Sequence, residues 1–330
     1  MKKIICAVNL LVLLILCGCT NGTENIGTLF SLGKRNIKDT RFMLDTFVTL
    51  EAQCSQKVLD GAFALCEKKE KQLSCTLPES EVSRLNSSSG FFAVSKDTEK
   101  IIRKAVYYSD LSGGRFDITV YPVSMLWDFN NEVIPDKKEI AEALKNVDYQ
   151  SIAFSKNGVC LNGKKIDLGA IAKGFIADEL LKYFKENNVK SGIINLGGNI
   201  ITFGEKENII GIKKPFSQNE ISGKVKIQNK SIVTSGIYER YIEKDGKIYH
   251  HVLDTKTGYG VNSDLASATV ICDSSLDGDA LSTVCLLVGK DKAREIINGI
   301  ENTEAVFITR DNEIFYTSGL LRDGDTFKIK

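Results

Sequence analysis

Short apolar segments separated by turn residues fill most of the chain beyond residue 151, and this pattern restricts its possible folds more than any other feature. Such segments are typical of strands that turns connect into antiparallel neighbours. Strands are predicted over 151–154, 159–161, 165–168, 192–196, 199–203, 209–212, 225–227, 232–234, 238–243, 248–253 and 266–272, with two more at the end of the chain. With helices expected at about 276–288 and 290–299, the order of elements predicts an α+β fold of largely antiparallel sheets and flanking helices.

The first half of the chain is predicted to contain more helix. A strand over 42–51 precedes a helix that Ser55 caps and that continues to about residue 72. Further helices are expected from Asp97 to the glycine pair Gly113-Gly114, over 136–145, and over about 170–187. The 330 residues include four prolines and no evident linker, so residues 39–330 are interpreted as one compact unit.

The first residues are interpreted as a targeting segment. Lys2 and Lys3 precede an apolar run over 4–16, which is typical of a secretory signal peptide and short for a membrane span. The run ends in Leu16-Cys17-Gly18-Cys19, which resembles the bacterial lipobox and implies cleavage after residue 18 with diacylglycerol on Cys19. Residues 19–38 are polar and are predicted to form a lipid-anchored flexible tether. The alternative is an ordinary signal peptide cleaved near Gly18.

Charge and cysteine content exclude several classes of protein. The formal net charge is +1, which gives no electrostatic reason to expect a nucleic-acid partner. Six cysteines remain after Cys19, and no two of them form a C-x-x-C pair of the zinc or thioredoxin kind. Their apolar surroundings favour buried free thiols over disulfides.

The stretch from Ile166 to Asp178 is a candidate ligand site. An apolar segment ends in Asp167, a turn of small residues follows, and the predicted helix carries Lys173 in its first turn. Small side chains let a ligand approach the backbone, and a helix start suits a phosphate-bearing ligand. The stretch matches neither a Walker loop nor a dinucleotide fingerprint. A tight structural turn remains the alternative.

The protein's two histidines are adjacent, at His250 and His251. On a strand their rings would point to opposite faces, so at most one of them would face a given pocket. Histidine exchanges protons near neutral pH, and Asp254 with a Thr-x-x-Gly turn follows closely, which makes His251 a candidate general base. Two hydrogen-bonded surface rings are the alternative.

Asp279 and Thr283 are four residues apart on a predicted helix and therefore share a face. A carboxylate and a hydroxyl, joined by a backbone carbonyl, form an oxygen donor set that suits Mg²⁺ better than Zn²⁺. The alternative is that Asp277 or Asp279 only caps the helix.

Two glycine-containing turns complete the candidate residues. Arg115, Phe116 and Asp117 place a cation, an aromatic ring and a carboxylate directly after a helix end. The ring could stack on a flat ligand or belong to the core. Gly197 and Gly198 join two predicted strands, which by itself is a weak signal of function.

Together these stretches resemble the ApbE family, the FAD:protein FMN transferases. The resemblance covers roughly residues 42–318. The matching segments are 42–46, 113–117, Pro122 with Leu126-Trp127, 166–178, 195–199, 235–238, 251–258 and 279–283. Two departures are Leu44-Asp45-Thr46, where the family often has Met-Gly-Thr, and Arg115, where a small residue is common.

The resemblance implies a site for FAD between two halves of the fold. It implies that Mg²⁺ on the diphosphate is held by the Ala170 carbonyl, the Asp279 carboxylate and the Thr283 hydroxyl. By the same resemblance His251 is the general base, Lys173 balances charge on the diphosphate, and Asp279 is also a catalytic residue. The residues matching flavin-nucleotide contacts are Leu44, Arg115, Phe116, Asp117, Asp167, Lys173, Gly197, Gly198 and Leu253.

The implied reaction attaches FMN to a Thr or Ser hydroxyl of another protein and releases AMP. The chain lacks an acceptor motif of its own, so the implied partners are exported proteins with FMN-binding domains, such as subunits of RNF-type or sodium-pumping quinone reductase complexes. The implied location is the outer face of the bacterial cytoplasmic membrane. One alternative is a Mg²⁺-dependent pyrophosphatase that converts FAD to FMN and AMP. The other is a lipoprotein that binds flavin without turnover.

Overall fold

The computed structural model describes residues 36–330. The predicted signal peptide (1–18), Cys19 and the tether as far as residue 35 lie outside the described residues. Residues 36–38, assigned to the tether, belong to the first strand. Among the helices of the described part, none combines the length and the apolar character needed to cross a bilayer.

The described residues form sixteen strands and eight α-helices, with two short 3₁₀ helices at Ile118–Val120 and Tyr149–Ser151. The strands are β1 Asn36–Met43, β2 Thr46–Gln53, β3 Ala153–Ser155, β4 Gly158–Cys160, β5 Gly192–Leu196, β6 Asn199–Phe203, β7 Asn208–Lys213, β8 Ile221–Ile227, β9 Ser231–Gly236, β10 Tyr241–Lys244, β11 Lys247–His250, β12 Leu265–Cys272, β13 Glu304–Thr309, β14 Ile314–Tyr316, β15 Leu320–Asp323 and β16 Thr326–Ile329. The helices are α1 Gln56–Leu73, α2 Glu81–Asn86, α3 Lys96–Leu111, α4 Tyr121–Ser124, α5 Lys137–Leu144, α6 Ala172–Glu186, α7 Ser275–Val288 and α8 Lys290–Asn298.

The sheets confirm the predicted α+β class. The largest has eight strands in the order β1-β2-β5-β6-β9-β12-β13-β14, and every neighbouring pair is antiparallel. A four-stranded sheet, β15-β16-β8-β7, contains one parallel pair between β16 and β8. The strands β10 and β11 form a separate hairpin, as do β3 and β4. The fold is therefore largely antiparallel sheet with helices packed on it.

Two faces of the large sheet are covered differently. Its inner face packs on helices, and alternate residues of β2 such as Val48 and Leu50 join Phe175 of α6 and Leu281 of α7 in the main core. Part of its outer face packs on the four-stranded sheet, where the residues in contact are Ile232, Ile271 and Val306 from one side with Val225 and Phe327 from the other. The period of two along each strand produces this division of side chains.

Two strand predictions are wrong. The strand predicted over 42–51 is broken at Leu44 and Asp45, whose φ angles of 54° and 55° make a two-residue hairpin turn between β1 and β2. The segment predicted as a strand over 165–168 has no strand partner. Instead the Asn86 side chain pairs with both backbone groups of Ile166, at 2.7 and 2.9 Å, and the Asp167 N–H donates to the Ile118 carbonyl at 2.8 Å. A side chain therefore supplies the hydrogen bonds that a neighbouring strand would supply.

No disulfide joins any of the six cysteines in the described part of the chain, as predicted. Cys54, Cys66, Cys160, Cys272 and Cys285 are buried without disulfides, and Cys75 is half-buried. Apolar burial raises the pKa of the Cys66 thiol to about 12, so this thiol is neutral and behaves as a small apolar side chain.

Helices α6 and α7 cross at very short distance. A Cβ atom added to Gly174 would lie 2.2 Å from the Ser275 carbonyl oxygen and 2.7 Å from the Asp279 Cβ. At its N-terminal end α7 is held by Asp178 of α6, which accepts hydrogen bonds from the backbone of Ser275 and Leu276 at 2.8 and 3.1 Å. Glycine at 174 is therefore required by the close approach, and the crossing fixes the first turns of both helices relative to each other.

Candidate functional site

A cavity of about 490 Å³ lies where segments from both halves of the chain meet. Its walls come from the β1–β2 turn, the segments 115–129 and 167–176, the end of the β10–β11 hairpin, and α7. The sequence-predicted residues that line it are Leu44, Arg115, Phe116, Asp117, Asp167, Ala170, Lys173, His251, Leu253, Asp279 and Thr283. Residues far apart in sequence are therefore collected around one space large enough for a substantial ligand.

Gly197 and Gly198 do not line this cavity. They form the turn between β5 and β6 with φ angles of 67° and 94°, and the Gly198 N–H donates to the Asn195 side chain at 3.2 Å. A Cβ atom added to Gly197 would lie 2.2 Å from the Thr46 hydroxyl oxygen, so the turn packs behind the β1–β2 hairpin. The predicted contact of these glycines with a nucleotide stays a prediction.

Asp279 is the most buried carboxylate of the cavity wall, with 4% of its surface exposed. Its Oδ2 accepts the backbone N–H of Gly174 at 2.8 Å. Burial raises the pKa of the Asp279 carboxyl, and the Lys173 ammonium and the Gly174 N–H oppose that rise. A carboxylate that burial destabilises in this way is well suited to hold a cation.

The oxygens predicted to hold Mg²⁺ line the same cavity. The Thr283 hydroxyl lies 3.4 Å from the Asp279 carbonyl and 3.3 Å from the Ser235 hydroxyl, one helical turn along α7. Ala170 lies in the turn before α6 and also lines the space. No group of three or more His, Cys, Asp or Glu side chains with metal-binding geometry occurs within residues 36–330. One carboxylate with a hydroxyl and a carbonyl nevertheless fits Mg²⁺, which usually keeps several positions for water and phosphate.

The turn before α6 places Asp167 and Lys173 at the cavity. Asp167 Oδ1 accepts the Gly169 N–H at 2.9 Å, which closes the turn from within. No side chain caps the start of α6. In its first turn the Ala172 N–H donates to the Leu168 carbonyl at 2.8 Å and the Gly174 N–H donates to Asp279. A helix start beside an ammonium group attracts phosphate oxygens.

The two histidines occupy different environments. His250 ends β11, is 2% exposed and points its Nε2 at the Val261 carbonyl at 3.2 Å. His251 lines the cavity, and its Nδ1 lies 3.2 Å from the Arg240 carbonyl. A carbonyl accepts and cannot donate, so the neutral ring carries its proton on Nδ1 and keeps a lone pair on Nε2. Burial and the charge of Arg240 lower the pKa of His251 to about 3, which keeps the ring neutral at ordinary pH.

The segment 115–117 is held mainly by the protein itself. Phe116 is buried, with its ring edge-on to Tyr108 at 6.4 Å between centroids, which favours the core interpretation over stacking on a ligand. Asp117 accepts the backbone N–H groups of Thr119 and Tyr149, at 2.7 and 3.1 Å. Arg115 donates to the Leu287 carbonyl at 3.2 Å and remains partly exposed. Arg115 therefore offers the most accessible polar group of the three.

Several lining residues were not predicted. Glu70 accepts the Leu44 N–H at 2.9 Å and ties α1 to the hairpin turn, and Arg240 supplies the carbonyl that orients His251. Trp127, named above only as part of a segment that matches the family, lines the cavity and donates its Nε1–H to the Gly258 carbonyl at 3.1 Å. Arg240 follows the matching segment 235–238 by two residues, which was the one available signal for it. Nothing in the pattern around Glu70, inside an amphipathic helix, distinguishes it from a surface residue.

Because His250 is buried, we expect the free energy of unfolding to decrease at low pH. Burial and the nearby Arg310 lower the pKa of His250 from its ordinary value of 6.5 to about 4. As the pH falls below about 6.5, the unfolded chain takes up a proton that the folded chain refuses, so the free energy of unfolding decreases until about pH 4. The shift corresponds to about 3 kcal/mol. Urea unfolding at pH 7 and pH 4.5 should show a smaller pH dependence for His250→Gln than for the unaltered protein. Equal dependence would contradict this assignment.

Comparison with known proteins assigns the family. The ApbE family model matches residues 44–307. A FAD:protein FMN transferase of Klebsiella pneumoniae is 36% identical over 265 residues, covering 78% of this chain and 83% of that protein. One of Treponema pallidum is 30% identical over 290 residues, covering 80% of each. The chain belongs to the ApbE family.

Solved structures agree with the fold. The crystal structure of the ApbE protein from Thermotoga maritima superposes with a TM-score of 0.78 at 28% identity, covering 86% of this chain and 97% of that one. The flavin transferase ApbE from Vibrio cholerae superposes with a TM-score of 0.76 at 23% identity, again covering 86% and 97%. The predicted fold and the prediction of a transferase are confirmed at the level of this family.

Proposed function

We propose that this protein is a Mg²⁺-dependent FAD:protein FMN transferase. The observation that carries the proposal is the composition of one cavity. Its wall combines hard oxygen donors at Ala170, Asp279 and Thr283, the Lys173 ammonium, and a neutral His251 with a free Nε2 lone pair. Oxygen donors and an ammonium suit a diphosphate, and a neutral imidazole suits removal of a proton from a hydroxyl.

The proposed reaction exchanges one P–O bond for another. A Thr or Ser hydroxyl oxygen of the acceptor attacks the FMN-side phosphorus of FAD, and a phosphoester bond forms. The bond from that phosphorus to the bridging oxygen breaks, and its electron pair leaves with AMP. The hydroxyl proton goes to Nε2 of His251. Catalysis then depends on holding the hydroxyl and the diphosphate in line.

The electrostatics of the site support His251 in this role. Its low pKa keeps the lone pair available before the substrate binds. The same pKa makes the free ring a weak base, so it needs help at the moment of transfer. A diphosphate beside the ring brings negative charge, which stabilises the imidazolium and raises that pKa toward neutrality. Proton acceptance is thereby coupled to the presence of FAD.

Mg²⁺ is the remaining component. Asp279, Thr283 and the Ala170 carbonyl would hold it, and when bound it would neutralise charge on the diphosphate and polarise its phosphoryl oxygens. Lys173 of α6 adds a second positive charge, near enough to Asp279 to oppose the rise of the pKa of that carboxyl. Arg115, which donates to the Leu287 carbonyl of α7, offers a third cationic contact to the nucleotide.

We propose further that the protein is exported and anchored to the outer face of the cytoplasmic membrane through diacylglycerol on Cys19. The support is the lysine pair, the apolar run and the Leu16–Cys19 sequence. The acceptors are then exported proteins with FMN-binding domains, of the kind found in RNF-type or sodium-pumping quinone reductase complexes.

The lipid anchor can be tested by metabolic labelling. Labelling with radioactive palmitate should mark the membrane-bound chain, and Cys19→Ala should abolish the label. A labelled Cys19→Ala protein would contradict the anchor.

One incubation distinguishes the proposed activity from its two alternatives. The protein is mixed with FAD, Mg²⁺ and a purified apo FMN-binding domain of an RNF-type subunit, and the products are examined by mass spectrometry. A covalent gain of one FMN on a Thr or Ser of that domain, with AMP in solution, is the expected result. Free FMN and AMP without modification would indicate a pyrophosphatase. Tightly bound, unaltered FAD that is indifferent to Mg²⁺ would indicate a flavin-binding protein.

A further inference from the structure

The tip of the β1–β2 hairpin carries two exposed aromatic rings. Phe42 and Phe47 are register partners across the hairpin, with ring centroids 5.6 Å apart and planes at 77°. Their exposed fractions are 69% and 67%, the highest among the large apolar side chains of residues 36–330. Two adjacent rings left in water form an apolar patch of the kind that marks interaction sites.

The rest of that hairpin face is polar. Thr40 and Thr49 are the next register pair on the same face, and their hydroxyl oxygens are 2.9 Å apart. Beyond them, Asn36 donates to Glu51 at 2.6 Å. The face therefore changes from polar to aromatic only at its tip. At β9, β12 and β13 the four-stranded sheet covers this outer face, but no described element covers it at β1 and β2.

The tip is also fixed in place beside the cavity. Its turn residues, Leu44 and Asp45, line the cavity wall, and the Leu44 N–H donates to Glu70 of α1 at 2.9 Å. Arg41 forms an ion pair with Asp60 at 2.6 Å and lies 4.0 Å above the Phe63 ring. These contacts hold the hairpin against α1, so the two rings have a defined position, two residues in sequence from turn residues that line the cavity.

The hairpin has an open backbone edge. Within the described residues, β1 has β2 as its single sheet neighbour, so the other edge of Asn36–Met43 is unpaired. An unpaired edge can accept an extended peptide as an additional strand. The edge offers unpaired backbone N–H and C=O groups, and the aromatic pair offers an apolar contact surface. Both lie next to the proposed reacting groups.

We propose that Phe42, Phe47 and the free edge of β1 form the docking surface for the acceptor polypeptide, which adds as an extended segment and brings its target hydroxyl to the cavity. This inference rests on the proposed transfer reaction, in which the acceptor is the partner whose side chain must enter there. A membrane is a poorer occupant because Asp45 is exposed at the tip between the rings, and a carboxylate is costly to bury in lipid.

The test compares the Phe42→Ser, Phe47→Ser double variant with the unaltered protein, using the purified apo FMN-binding domain of an RNF-type subunit as the probe. Two rings lost from a docking surface should raise the KM for this domain about tenfold or more. The KM for FAD and the thermal midpoint should stay near those of the unaltered protein. Binding of the apo domain is also measured without FAD, so that the docking surface is tested even if no FMN is transferred.

Phe91→Ser is the matched control, because Phe91 is 48% exposed and does not line the cavity. An equal loss in this control, or unchanged acceptor binding and KM in the double variant, would overturn the proposal. Loss of FAD binding in the double variant would overturn it too, since the rings would then support the cavity itself. If the unaltered protein formed a dimer or bound phosphatidylglycerol vesicles, and only the double variant lost this property, the rings would be assigned to a second copy or to a membrane, and the proposal would be wrong. If the unaltered protein bound the apo domain through the two rings but transferred no FMN, the proposed function would be contradicted and the docking surface would stand.

Discussion

Replacing Asp279 with alanine should reduce Mg²⁺-dependent transfer by about 100-fold or more, because a metal that supplies several kcal/mol of charge stabilisation loses its carboxylate ligand. The fold should largely survive. Burial already raises the pKa of this carboxyl, so the charged group contributes little to stability, and one N–H of Gly174 loses its partner at a cost of about 1–3 kcal/mol. The measurement is transfer rate against Mg²⁺ concentration, together with calorimetric titration of Mg²⁺ into the FAD-bound protein.

Asp277→Asn is the matched control on the same helix. Its carboxylate contacts Lys104 and Tyr108 of α3 at 2.8 and 2.7 Å and does not line the cavity. This variant should keep its Mg²⁺ response. Asp279→Asn keeps an oxygen for the Gly174 N–H while removing the charge, so it separates support of the fold from metal binding. Unaltered activity of Asp279→Ala at limiting Mg²⁺ would remove this residue from the metal site.

Replacing His251 with alanine should slow FMN transfer by roughly 100-fold or more, the usual range for loss of a general base. FAD binding should be largely retained, since all the predicted nucleotide contacts except Leu253 lie on other segments. Single-turnover transfer at saturating FAD, with FAD affinity measured by flavin fluorescence, tests both parts of this expectation.

His250→Gln provides the comparison at the neighbouring position. His250 is buried against Val261 and does not line the cavity, so this change should affect stability at low pH more than transfer at pH 7. If the two variants lost transfer equally while both remained folded, the assignment of the base to His251 would be wrong. Loss of the fold in His251→Ala would show that the ring is structural.

Local patterns in the sequence predict most of the helices and the antiparallel sheet. The stripe along α1 and its Ser55 cap are local signals, and the structure has the helix at Gln56–Leu73 with Ser55 accepting from Val58. The hairpin at Leu44 and Asp45 was missed because neither residue is glycine, although both have positive φ. Asp45 stands where the family often has glycine, the residue that adopts such a conformation with least strain. The one sequence signal for this turn was therefore that the chain has Asp45 where the family often has glycine.

The site was predictable where its residues share one element. Asp279 and Thr283 follow from helical spacing, and the opposite environments of His250 and His251 follow from their adjacency at a strand end. Glu70 could not be predicted because its side chain accepts the backbone N–H of Leu44, 26 residues away, and Arg240 because its backbone carbonyl, which carries no sequence signal, contacts the His251 ring. The segment at Ile166 was predicted as a strand because it is apolar, and the Asn86 side chain that replaces its strand partner is 80 residues away.

The contact at Gly174 constrains how this enzyme can be re-engineered. Lys173 and Asp279, the two charges of the proposed diphosphate site, lie on separate helices whose backbones touch at Gly174 without an intervening side chain. Grafting α6 or α7 from a relative on its own would alter that spacing, whereas moving both as a single cassette would preserve it. Chimeras intended to change cofactor preference should therefore exchange both helices and leave the β1–β2 hairpin, the proposed acceptor-docking surface, unaltered.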